Sequence, residues 1–188
     1  MQILELRMVN VKCYDDVTYT FQPGINFISG LNGAGKSTII EAIGFALFDN
    51  IDYTAKQFTK EGKRSGEVQV LIEANDQRLY RIVRKFNTNA LTLKWEVYDE
   101  ESGAMLEQLH GNQDVVNWIK ANIGLAPEDN LRELYRQVIS VQQGAFTTPF
   151  LETPAQRRDT FEAILGVEGY RKVYNKTSGL NAEFSGPI

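Results

Sequence analysis

Apolar and polar residues alternate from the start of the chain, with Leu4, Leu6 and Met8 on one side and Glu5 and Arg7 on the other. That period of two predicts a half-buried strand over residues 2–9. A turn at Gln22-Pro23-Gly24 leads into the apolar run Ile25-Asn26-Phe27-Ile28-Ser29, which predicts a short strand ending in the glycine-rich stretch 30–35. From Lys36 onward Ile39, Ile40, Ile43, Ala46 and Leu47 recur at helical spacing. The order is therefore strand, glycine loop, helix.

Polar residues 58–66 separate this unit from three strand-like segments. Val68, Val70 and Ile72 alternate with Glu67 and Gln69; residues 78–86 follow; then Leu91, Leu93, Trp95 and Val97 alternate with Thr92, Lys94 and Glu96. Together they predict an antiparallel meander. Asn87-Thr88-Asn89 predicts a hairpin turn, since asparagine tolerates the left-handed backbone of tight turns. Beyond Gly111 the period becomes helical, with Val115, Val116, Ile119 and Ile123 on one face and Gly124 as the stop. A short helix over 130–137, a strand at the start of 138–144 and a last helix from Pro154 complete the pattern. Residues 177–188 lose both periodicity and charge pattern and read as a linker or an added tail.

Composition narrows this picture. A chain of 188 residues with 43% hydrophobic residues fits one domain with a sizeable core. The formal net charge of -4 excludes a protein coated in positive charge, so any nucleic-acid contact must come from a local patch or a partner. Cys13 is the single cysteine, which rules out an internal disulfide. Glu5 and Arg7 interrupt the first apolar stretch and no run reaches membrane-span length, so a soluble intracellular protein is expected. His110 reads as a surface loop residue, Trp95 and Trp118 as core anchors, and the Asn175-Lys176-Thr177 triplet as without meaning inside a cell.

The strongest chemical signal is Gly30-Leu31-Asn32-Gly33-Ala34-Gly35-Lys36-Ser37, a complete GxxxxGK[ST] pattern between a predicted strand and a predicted helix. Glycines let the backbone wrap so that successive N–H groups face phosphate oxygens, and the helix presents its positive end to the same anion. Lys36 is suited to bridging the β- and γ-phosphates, and the Ser37 hydroxyl to ligating Mg²⁺. Gln143, with Gly144 after the apolar run 138–141, offers an amide able to give its carbonyl to Mg²⁺ and its NH₂ to an attacking water. Lys36 and Gln143 are thus the catalytic candidates, and Ser37 and Gln143 the metal candidates.

Taken together, these residues resemble the amino-terminal lobe of an SMC-like ABC ATPase head, of the SbcC or Rad-fifty family of DNA double-strand-break repair. The likeness is carried by the opening strand with residues 10–16, by 23–43, by 58–62, by Val141-Gln142-Gln143-Gly144 and by 153–174; residues 162–170, EAILGVEGY, favour the repair branch. The fold implied is α/β, a P-loop NTPase of the ABC type: an antiparallel meander plus a Walker A strand, loop and helix, ending at the root of a coiled coil. Residues 1–155 are expected to form the head lobe and 156–176 to begin the coiled-coil helix.

By this resemblance Asn32, Gly33, Ala34, Gly35, Lys36, Ser37 and Thr38 hold the phosphates of ATP with Mg²⁺. Lys12 stands near the α-phosphate and base, at a position often arginine in relatives, and Thr59, Lys60 and Glu61 fall where the family contacts adenine. The catalytic carboxylate, the signature loop and the zinc of the hook region belong beyond residue 176. Implied partners are the carboxy-terminal lobe, a second head in a homodimer with ATP at the interface, an SbcD or Mre-eleven type nuclease and double-stranded DNA, with no membrane. The expected location is cytoplasmic or nucleoid-associated, or nuclear in a eukaryote. Arg81, Arg84, Lys85 and Lys94 are candidate contacts to DNA phosphates, against the alternative of a solvated face balanced by Asp76, Glu96 and Asp99. Alternatives are an SMC or RecF-like chromosome-organising head and a P-loop kinase or GTPase acting on a small molecule, the GTPase being opposed by the lack of an NKxD motif.

Overall fold

Strands β1 (Gln2–Val11), β2 (Tyr14–Thr20), β3 (Ser65–Glu73), β4 (Leu79–Asn87) and β5 (Lys94–Asp99) form one sheet in the order β2-β1-β3-β4-β5. Every neighbouring pair is antiparallel. This computed structural model describes residues 1–125, 130–140, 153–155, 157, 158, 170, 173, 174 and 177. The chain divides into two compact units, Met1–Tyr135 and Arg136–Ile188. The first holds the sheet and helices α1 (Lys36–Phe48), α2 (Ala55–Phe58), α3 (Asn112–Ile123) and α4 (Leu131–Leu134). In the second, Pro154, Ala155, Arg157 and Arg158 are helical, in keeping with a helix starting at Pro154.

The alternation seen in the sequence sets one buried face. Leu6 and Met8 of β1, Val68, Val70 and Ile72 of β3, Ile82 and Phe86 of β4 and Val97 of β5 are fully or almost fully buried. Helix α1 covers that face, and Phe45 meets Phe58 and Phe86 with ring centroids 5.0 and 5.6 Å apart. Each such ring, removed from water, contributes roughly 2–3 kcal/mol. Trp95 anchors the same core and donates its indole N–H to the Ala46 carbonyl at 3.0 Å. Trp118 is only partly buried, packing edge-on against Tyr80 at the core margin and not anchoring the core as expected, whereas His110 is exposed, as expected.

Arg84 belongs to this core. The expectation that it faces DNA is corrected, because the period of two places it with Tyr80, Ile82 and Phe86 on the inner face, where it is 4% exposed. Its guanidinium lies 4.2 Å from the ring centroids of both Phe45 and Trp95, and donates to the Phe45 carbonyl, Thr92 Oγ1 and Asp49 Oδ1. Burial pushes the Arg84 pKa down, and the Asp49 carboxylate opposes that push. Such a charge is tolerated inside only because its donors are engaged.

Several other expectations change. Residues 25–29 form no strand: Ile25 is 99% and Phe27 90% exposed. A short, largely apolar run is the pattern of a strand buried within a sheet, which requires neighbouring strands, and no described strand pairs with it. β5 begins at Lys94, leaving Leu91 and Leu93 outside the strand. The turn at Asn87 is real but not left-handed; Asn87 Oδ1 accepts from the Asn89 and Ala90 backbone N–H groups at 2.9 and 2.7 Å instead. The helix expected over 130–137 is split into α4, capped by Asn130 Oδ1, and a π-helical turn over Tyr135–Ile139, so Val138 and Ile139 are not in a strand. Residues 141–144, with Gln143, lie outside the described residues.

Candidate phosphate site

Three segments converge: the β1–β2 turn, the glycine loop, and the stretch from α2 to Gly62. The glycine loop ends at Gly35, which caps α1 with φ 91°, and Gly33 has φ 80°. Only glycine adopts such angles without strain. A Cβ at residue 35 would also come within 2.5 Å of Cys13 Sγ and 2.8 Å of the Tyr14 hydroxyl, so the β1–β2 turn rests directly on the loop. Burial, followed by the hydrogen bond with Tyr19, pushes the Tyr14 phenol pKa up and keeps it protonated.

Helix α1 is open to an anion at its start. No side chain caps it and its first turn holds no acidic residue, so nothing negative competes for the positive end of thirteen aligned peptides. Lys36 and Ser37 are its first two residues. The Lys36 ammonium donates to the Gly30 and Leu31 carbonyls at 2.9 and 2.8 Å, folding across its own loop. Ser37 is exposed, whereas Thr38 is buried. These residues fit a Mg²⁺-bound triphosphate: main-chain donors, one ammonium and one free-standing hydroxyl, with no carboxylate between them.

The other candidates are placed unevenly. Lys12 sits at φ 47°, its N–H bonded to the Phe58 carbonyl at 2.9 Å, and its ammonium 2.5 Å from Glu41 Oε2 and 3.4 Å above the Tyr53 ring. Lys60 reaches the same turn, donating to the Cys13 carbonyl at 3.2 Å and to Asp15 at 2.7 Å. That bond holds the Asp15 carboxyl below its ordinary range. Glu61 is exposed. Thr59 is buried with its hydroxyl donated to the Ala55 carbonyl at 2.8 Å, so its side chain closes α2.

Sequence reading passed over Glu41 and Tyr53. The available signal was spacing: Glu41 is the only acidic residue of α1 and lies one turn beyond Ser37, on the same face.

The remaining basic residues of the sheet are paired. Arg81 bonds Glu5 and Glu100, which together hold its pKa raised, while Lys85 lies 3.2 Å from Glu67 and Lys94 3.4 Å from Glu96. No helix among the described residues is long and apolar enough to cross a membrane.

A glycine loop opening onto α1, with a lysine and a serine as the helix's first residues and an antiparallel sheet at its back, defines a P-loop nucleoside-triphosphate fold of the ABC type. Residues 5–178 match the family described as AAA domain, and the chain belongs to that family. It is 30% identical over 169 residues to the DNA double-strand break repair Rad50 ATPase of Thermoplasma volcanium, covering 89% of this chain and 18% of that protein. With the protein of the same description from Methanopyrus kandleri it shares 26% identity over 170 residues, covering 90% and 19% respectively. Among solved structures, one described as "Structural biochemistry of ATP-driven dimerization and DNA stimulated activation of SMC ATPases" is similar in fold, with TM-score 0.65 and 20% identity, over 87% of this chain and 99% of that one. The chain thus spans less than a fifth of the length of these two curated relatives.

Proposed function

We propose that this chain is the ATP-binding half of the ATPase head of a DNA double-strand-break repair protein. The observation that carries the reading is the uncapped start of α1, where Gly33 and Gly35 in left-handed conformation lead straight into Lys36 and Ser37. The names of the curated relatives support the repair context, and the similarity runs over nearly the whole chain.

In this reading Asn32 to Thr38 cradle the phosphates, Lys36 steadies the charge developing on the γ-phosphoryl group, and Ser37 and Gln143 hold Mg²⁺, which neutralises phosphate charge when bound. Lys12 stands near the α-phosphate and base, and Lys60 and Glu61 border the base, with Thr59 acting through its backbone. Residues 1–155 make the head lobe and 156–176 begin a coiled coil. The exposed run Ile25 to Leu31, with Ile25, Phe27 and Leu31 all more than four-fifths exposed, supports the need for a carboxy-terminal lobe to complete the sheet. Two completed heads then close on two ATP molecules, since contacts to phosphate from both sides exist only while ATP is bound, and hydrolysis releases them. That cycle controls a nuclease partner and duplex DNA.

Two tests follow from this reading. The chain alone is expected to bind ATP weakly and to hydrolyse it negligibly, and supplying the carboxy-terminal lobe in trans is expected to raise turnover at least tenfold in a phosphate-release assay. Robust turnover by the isolated chain would sink the proposal. For DNA, Arg81 is held between Glu5 and Glu100 at 23% exposure, and the more exposed candidates on the sheet are Lys85 and Lys94, which lie directly opposite each other in register and are 47% and 62% exposed. The double substitution Lys85→Glu, Lys94→Glu in the completed head is expected to lower duplex affinity and reduce the salt slope by about two. An unchanged slope would remove this face from DNA binding.

A further inference from the structure

Lys12 is unusual twice over. It is one of four non-glycine residues with positive φ among the described residues, and its ammonium lies half-buried on a carboxylate and an aromatic ring. Both Glu41 oxygens are engaged, Oε2 by Lys12 at 2.5 Å and Oε1 by the Tyr53 hydroxyl at 3.0 Å. This trio joins the β1–β2 turn, helix α1 and the loop before α2 beside the phosphate cradle.

We propose that Glu41 and Tyr53 are positioning residues for Lys12, and that Glu41 tunes nucleotide affinity by competing with phosphate for the Lys12 ammonium. The inference rests on the ATP-binding reading above. Glu41 follows Ser37 by one helical turn on the same face of α1, about 6 Å along the helix axis, so the carboxylate that holds the ammonium stands one turn from the helix start. Its root is fixed: the Lys12 N–H is bonded to Phe58, and neighbouring Cys13 and Tyr14 rest against Gly35. Only the flexible side chain has to swing.

One ammonium cannot neutralise Glu41 and a phosphate oxygen equally, so each weakens the other's hold. The exchange is reversible because Glu41 keeps the Tyr53 hydroxyl after the ammonium leaves, and is not stranded without a donor. The Tyr53 face, meanwhile, gives Lys12 a second resting contact that favours the parked position. Glu41 therefore acts through Lys12 and touches no phosphate itself.

Titration of this chain with ATP and Mg²⁺ tests the inference. Glu41→Gln, which keeps shape and removes charge, is expected to tighten ATP binding about twofold to fivefold, the range of one partly exposed ion pair. Lys12→Met is expected to weaken binding, and Glu41→Gln added to Lys12→Met is expected to change it little further. Glu41→Gln that leaves affinity unchanged or lowers it, with thermal unfolding intact, overturns the proposal. So does an equal gain in the Lys12→Met background, which would reduce Glu41 to a diffuse charge. Should Glu41→Gln not fold, an unchanged affinity for Lys12→Met overturns it as well. Absence of ATP binding by the parent chain would overturn the nucleotide reading and this inference together, whereas the other failures leave that reading standing.

Discussion

Lys36→Ala is expected to weaken ATP binding by at least a hundredfold while leaving the thermal midpoint within a few degrees of the parent. Among the described residues the Lys36 ammonium has only the Gly30 and Leu31 carbonyls as partners, both in its own loop, so its loss removes little that holds the sheet or core together. With nucleotide present, the same group supplies charge-assisted hydrogen bonds to phosphate, worth about 3 kcal/mol in total, or some hundredfold in affinity. Calorimetric titration with ATP and Mg²⁺, run beside a thermal melt, separates the two effects. Retained affinity would place the phosphates elsewhere, and a collapsed melt would mean that Lys36 is part of the fold.

Arg84→Ala is expected to do the reverse. Removing the guanidinium vacates the space between Phe45 and Trp95 and leaves the Thr92 hydroxyl and Phe45 carbonyl without that donor. Asp49 keeps a second cation, Arg132, at 2.7 Å, which moderates the loss. A destabilisation of about 3 kcal/mol follows, and for a chain of this size a fall in midpoint on the order of 6–12 °C. Arg84→Met, which refills the volume without a buried charge, is expected to recover most of it. Chemical denaturation of the two variants decides the matter: if alanine costs nothing, the guanidinium is not a core element, and if methionine costs as much as alanine, charge outweighs packing there.

The same residue shows how far the sequence could be read. The strict alternation of β3 made that strand plain, and α3 ended where Gly124 adopts φ 83° and bonds back to Lys120 and Ala121. The glycine loop was legible because its motif encodes backbone conformation directly. Arg84 was misread because charge was weighed before register; counted from Ile82 and Phe86, its side chain had to point inward. β2 went unseen because Asp15 and Asp16 interrupt its apolar pattern, although its pairing with β1 is supplied by the neighbour and not by its own composition. The run from Ile25 misled in the opposite sense, since its composition describes a setting that these residues alone do not provide. Glu41 escaped notice because a lone acid on a helix has many uses, and only the fold brings Lys12 and Tyr53 to it.

Helix α1 is held firmly at its far end. Asp49, just past its last residue, takes Arg84 and Arg132, and the Tyr135 ring lies flat in the gap left by Gly44, stacked on Phe48 and donating to the Ile40 carbonyl at 2.6 Å. A methyl group at residue 44 would come within 2.5 Å of that ring, so the seat admits no larger side chain without displacing it. With its far end bolted down, the rod has little freedom to slide or turn when an anion arrives.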